Sequence, residues 1–228
     1  MINSRIFTDQ ELREMGTRTL DLLIEAIDAG DREKARMLAQ RMYGECGTLH
    51  DGSMFGITGL QTYIYNKLGI DALEEAERAA HTAEAKTVFA PPEATDLRSQ
   101  VELLAGVLRG HMQPVKIEED DEKISLAMQP CGSGARIIQK GGYSPEVGLA
   151  KVAGPHPATW GLEDFPIYCT HCPILERMQV ENLGSLGACR IFTPPVGSGD
   201  CSFVFYKNPA DVPEEFYTRI GKQKPKSN

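Results

Sequence analysis

The hydrophobic residues of this chain change period at His111, and that change restricts the fold class more than any other feature. Before it, apolar residues recur every three or four positions, as in Leu12, Met15, Leu22, Leu23, Ala26 and Ile27, and again in Leu97, Val101, Leu104 and Leu108. After it they alternate with polar residues, as in Val115 and Ile117, then Ile124, Leu126 and Met128. A period near 3.6 places apolar residues on one face of a helix, whereas a period of two places them on one face of a strand. The sequence therefore reads as α+β: an N-terminal helical bundle packed on a small, mostly antiparallel sheet with one or two helices.

Local signals divide the first half into five helices. Thr8 and Glu11 fit a capping box, and Gly30 closes the helix it opens. A second helix runs through Ala35, Leu38 and Met42 to about Gly47. A third spans Phe55 to Leu68, and a fourth starts at Asp71 with Leu73, Ala76 and Ala80 on one face. The fifth, beyond Pro91-Pro92, ends at Gly110. In the second half, Glu118–Glu122 reads as a solvated acidic hairpin turn. Arg136–Gln139 reads as a third strand and 143–166 as a long loop of functional character. Phe165–Tyr168 reads as a strand entering Cys169, Ile174–Leu183 as a helix, and Ala188–Phe192 and Cys201–Tyr206 as closing strands. The expected regions are 1–112 helical, 113–220 cysteine-rich α/β, and 221–228 a disordered tail, forming one compact unit.

With 24 Lys+Arg against 32 Asp+Glu the net charge is −8, which argues against a nucleic-acid or anionic-membrane partner. No apolar run approaches the ~18 residues of a membrane span. The opening residues lead straight into an amphipathic segment, so a cytoplasmic chain with reduced thiols is expected. The expected partner is a small-molecule ligand or substrate, and a homodimer is compatible with the sequence.

The chain has six cysteines, and four of them are candidates for chemistry. Cys46 reads as packing, and Cys189 is open between packing and function. Cys169-Thr170-His171-Cys172 is a Cys-x-x-Cys turn, a spacing that directs two sulfurs to one ion. Cys131, Cys201 and His171 are the further candidate ligands. The metal set is thus Cys131, Cys169, His171, Cys172 and Cys201, for zinc or alternatively an iron–sulfur cluster. Dithiol redox use of Cys169 and Cys172 is a weaker alternative. For acid–base work the candidates are His50 with Asp51, His111 beside Gly110, and His156 between Pro155 and Pro157. His81, on an exposed-looking helix face, reads as structural.

The run Gly199-Asp200-Cys201-Ser202-Phe203-Val204-Phe205 resembles the ending of 4-vinyl reductase-type domains and of 2-amino-thiazoline-4-carboxylate hydrolase-like proteins. Leu49-His50-Asp51, Tyr63-Ile64-Tyr65 and Ala72–Ala76 are similar to the helical part of the second group. The resemblance implies a metal role for Cys201 and for Cys169 or Cys172, beside a small-molecule pocket. The Cys-Thr-His-Cys cluster and Cys131 depart from that pattern. The reading that follows is a metal-dependent, hydrolase-like enzyme acting on a small heterocyclic or amide-like molecule. The alternatives are a sensor-type small-molecule-binding domain with a structural zinc or iron–sulfur site, and a dithiol redox protein.

Overall fold

The computed structural model describes residues 6–87, 96–192 and 201–226. The chain divides into two compact units, Met1–Gly52 and Ser53–Asn228. The α+β reading holds: helices precede a four-stranded antiparallel sheet, with a separate two-stranded sheet.

In the first unit, α1 (Asp9–Gly16) begins at the expected capping box: the Thr8 side chain accepts from the Glu11 N–H and Glu11 reaches back to Thr8. The single helix expected up to Gly30 is two, because the chain turns extended at Thr17 and restarts as α2 (Thr19–Asp28). A small core of Leu22, Ala26 and Leu38 joins α2 to α3 (Arg32–Leu68). This helix corrects a second expectation. Its 37 residues run unbroken through the stretch read as a connection between two helices. Interior glycines cost about 1 kcal/mol each relative to Ala, which weakens a helix without ending it, and no proline interrupts the ladder. Cys46, read as packing, is exposed.

The second unit contains the last turns of α3, α4 (Ile70–Thr87) and α5 (Leu97–Gly110). Its sheet has the order β1-β2-β6-β5, from β1 (Val115–Glu119), β2 (Lys123–Met128), β5 (Cys189–Phe192) and β6 (Cys201–Tyr206). The acidic run is the expected hairpin turn, with Asp120 accepting from the N–H groups of Glu122 and Lys123. Alternation puts Leu126 and Met128 on the face that α5 covers with Ala105 and Leu108, together with Phe203 and Phe205. The change of period at His111 thus marks a change of element within one packed unit.

Between β2 and β5 the expectations fail in detail. Arg136–Gln139 lies in α6 (Gly134–Gln139), not in a strand. A run of two isoleucines carries no period of its own, so helix and strand look alike there; only Ile137 is fully buried. The loop 143–166 is pinned to α3, where Thr62 Oγ1 and the Tyr65 hydroxyl accept from the Ala150 and Ala153 N–H groups. It pairs β3 (Lys151–Val152) with β4 (Phe165–Pro166). A 3-10 turn, Ile167–Thr170, then runs directly into α7 (His171–Leu183), which Gly184 ends at φ 75°.

After α8 (Glu214–Thr218), Lys222 and Lys224, in the tail read as disordered, bond to Glu181 and to the Ala210 carbonyl. Among the described residues no helix is long and apolar enough to cross a membrane.

Glu176 on α7 ties these pieces together. It is fully buried and accepts from Trp160 Nε1 at 2.6 Å, the Arg190 N–H at 2.6 Å and Arg219 Nη2 at 2.7 Å. Removing one partner of such a pair strands the other charge, at a cost of about 3–5 kcal/mol. Glu176→Leu is therefore predicted to lower the unfolding free energy by about that much in denaturant titrations. A loss under about 1 kcal/mol would show that the carboxylate does not hold the unit together.

Candidate functional site

The second unit encloses a cavity of about 660 Å³ lined from α3, α4, α5, α7 and the sheet. Its walls are mainly apolar, with Ile64, Leu73, Leu104, Leu108, Phe165 and Phe203 among them, interrupted by polar side chains that include Gln61, Glu77, His81 and Arg190. Four of the expected cysteines, Cys131, Cys169, Cys172 and Cys201, line it, as do His111 and His171. The sequence spacing therefore identified residues that the fold brings to one wall.

Each sulfur has its own local engagement. Cys131 lies before α6, where the N–H groups of Ser133, Gly134 and Ala135 hydrogen-bond to it. Cys169 packs on Gly134 so closely that a Cβ there would sit 2.8 Å from its Sγ. Only glycine admits the sulfur at that position. The Cys172 thiol donates to His171 Nε2 at 3.3 Å. The His171 tautomer follows from its other nitrogen: Nδ1 lies 2.5 Å from the Tyr168 carbonyl and donates to it, which leaves Nε2 to accept.

Burial keeps these thiols neutral. It raises Cys169 well above the ordinary value, and the neighbouring Cys172, Cys131 and Cys201 add to the effect. Cys172 is pushed up to about 11, again by burial, with Arg190 partly opposing. Burial also lowers His171 and His81, against the pull of Glu77 on the first and Glu84 on the second. Both imidazoles are neutral near pH 7. Among the described residues, no three His, Cys, Asp or Glu side chains converge as ligands of one ion. The set expected for zinc or an iron–sulfur cluster lines the cavity without forming such a group among the described residues.

The acid–base candidates separate. His111 lines the cavity and pairs through Nδ1 with the Ser133 hydroxyl at 3.0 Å. His50 and Asp51 do pair, at 3.1 Å, but inside α3 in the first unit. His156 is not among the cavity-lining residues: its Nδ1 accepts from the Ala158 N–H at 3.0 Å and caps the 3-10 turn Pro157–Thr159.

Sequence reasoning missed the residues facing the Cys-His turn. Glu77 and His81 stand one helical turn apart on α4, a spacing that puts both on one face; that was the available signal. His81, read as exposed and structural, lines the cavity with its ring centroid 6.1 Å from that of His171. The Glu77 Oε1 is bonded to Gln61 Nε2 at 2.9 Å and to the Thr170 hydroxyl at 2.6 Å. Burial pushes the Glu77 carboxyl up to about 7.

No protein-family model, curated protein or solved structure matches this chain.

A carboxyl raised from 4.5 to about 7 holds its proton more tightly folded than unfolded, so stability falls as pH rises through that window. The lowered histidines act in the opposite sense, losing their contribution as pH falls through about 6.5. Glu77→Gln removes only the first slope. Relative to wild type, the variant should gain roughly 2–3 kcal/mol between pH 4.5 and 7.5 in denaturant midpoints. Parallel pH profiles for the two proteins would contradict the assignment.

Proposed function

We propose that the second unit is a small-molecule-binding domain whose ligand has an apolar body and a polar end. The observation that carries this reading is the cavity itself, about 660 Å³ with mainly apolar walls and a few polar side chains. That volume falls in the range of ligand pockets, about 300–1,000 Å³, and convergent polar groups on an apolar lining are their usual construction. The neutral state of the buried thiols and imidazoles supports binding ahead of catalysis, because a protonated thiol is a poor nucleophile.

A hydrolytic version of the same pocket is favoured by one observation, the Cys172–His171 pair. In that version Cys172 gives its proton to His171 Nε2 as the sulfur attacks a carbonyl carbon. The imidazolium returns the proton to the departing group, and water then releases the acyl group. Iodoacetamide with peptide mapping ranks the two versions. Cys172 should be alkylated at pH 7 no faster than free cysteine, and a rate tenfold above it would favour the nucleophile.

Decanol titrated into the full chain tests the binding reading by calorimetry. One saturable site is expected, with Ala76→Trp and Leu104→Trp, two substitutions that fill the lining, each weakening it at least tenfold while the melting temperature stays within a few degrees. Absence of saturable binding, or equal affinity in both variants and wild type, would overturn it.

A further inference from the structure

We infer that the polar side of the cavity is a subsite for the protonated amine of an amphipathic ligand, seated among Gln61, Glu77 and His81; this deepens the binding reading above and rests on it. Gln61 and Glu77 are 7% and 6% exposed. Each uses one atom in their mutual hydrogen bond, and among the described residues Gln61 Oε1 and Glu77 Oε2 have no partner. His81 donates through Nδ1 to Glu84 at 3.2 Å, and its buried Nε2 is likewise unpartnered. All three residues line the cavity.

These atoms share one chemistry. An amide oxygen, a carboxylate oxygen and the bare nitrogen of a neutral imidazole are acceptors. A buried acceptor left unmatched is costly, so these three favour a guest that brings several N–H donors. An ammonium supplies three, together with the charge that an ionised Glu77 needs. The other titratable and charged groups facing Glu77 and His81 are His171, Cys169 and Cys172, Glu74, which Arg78 and Arg177 hold in ion pairs, Glu84 on His81, and Arg190. Arg190 is the opposing cation. Its guanidinium lies 4.3 Å from the Phe203 ring centroid, and its Nη1 donates to the Cys172 carbonyl. Its Nε is an unpartnered donor that would suit an anion, so head-group preference decides between the two ends.

Binding an ammonium ionises Glu77, so the proton leaves the carboxyl as the ligand enters. Affinity for an amine should then rise with pH from 6 to 8, and affinity for an uncharged analogue should not.

The test compares decylamine, decanol and decanoate on the full chain by calorimetry. Decylamine should bind at least tenfold more tightly than decanol at pH 8. Glu77→Gln should remove that advantage and its pH dependence, so that decylamine binds the variant no more tightly than decanol does, and His81→Phe should reduce it severalfold. Equal affinity for decylamine and decanol, or tighter decanoate binding, would overturn the amine subsite and leave the pocket standing. Failure of all three probes to bind would instead overturn the pocket reading on which it rests.

Discussion

A fully buried carboxylate has to be matched on every lone pair, and Glu176 is matched by groups from three separate stretches of chain. Trp160 comes from the loop ahead of β4, the Arg190 N–H from β5, and Arg219 from the residues after α8. Arg219 also lies over the rings of Trp160 and Phe216, at 4.8 Å and 4.4 Å from their centroids. Glu176 sits one turn into α7, so the same bonds that satisfy it fix where that helix begins. His171 and Cys172 occupy its first two positions. The polar side of the cavity therefore inherits its geometry from a charge buried elsewhere on the helix.

That inheritance explains a polar wall in an otherwise apolar enclosure. α4 and α7 face each other across Glu77 and Thr170, whose hydroxyl lies 2.6 Å from Glu77 Oε1. Low polarity around them opposes charge: Cys169, Cys172 and the Glu77 carboxyl are raised, and His171 and His81 are lowered. A wall held neutral in this way gains most from a guest that restores a charge or a set of hydrogen bonds. The four thiols belong to the same environment, each engaged by a backbone N–H group, an imidazole or close packing, which accounts for their sharing a wall without converging on an ion.

Much of this was legible in the sequence. The period change at His111 gave the fold class, and the Thr8–Glu11 box, α5, α7 and both closing strands followed from caps and alternation. The Cys-x-x-Cys turn and Cys131 pointed at the cavity, because residues at strand ends and turns collect where the sheet meets its covering helices. What escaped was decided by tertiary contact. Gly47 looked like a helix end because propensity cannot register the cooperativity of a 37-residue ladder. Ile137 and Ile138 fit either period. His156 offered a lone pair that its own backbone consumed two residues later. His81 looked exposed, and Glu77 drew no attention, because nothing on α4 announces that the Cys-His turn packs against them.

The central claim is that the second unit holds a guest within its apolar walls, and methyl-resolved NMR of the full chain during a decanol titration tests it most directly. The account predicts saturable shifts concentrated on Ile57, Ile64, Leu73, Leu104 and Leu108, with Leu22 and Leu23 of the first unit unmoved. Shifts that never saturate, or that fall on Leu22 and Leu23 and spare Leu73 and Leu108, would contradict it.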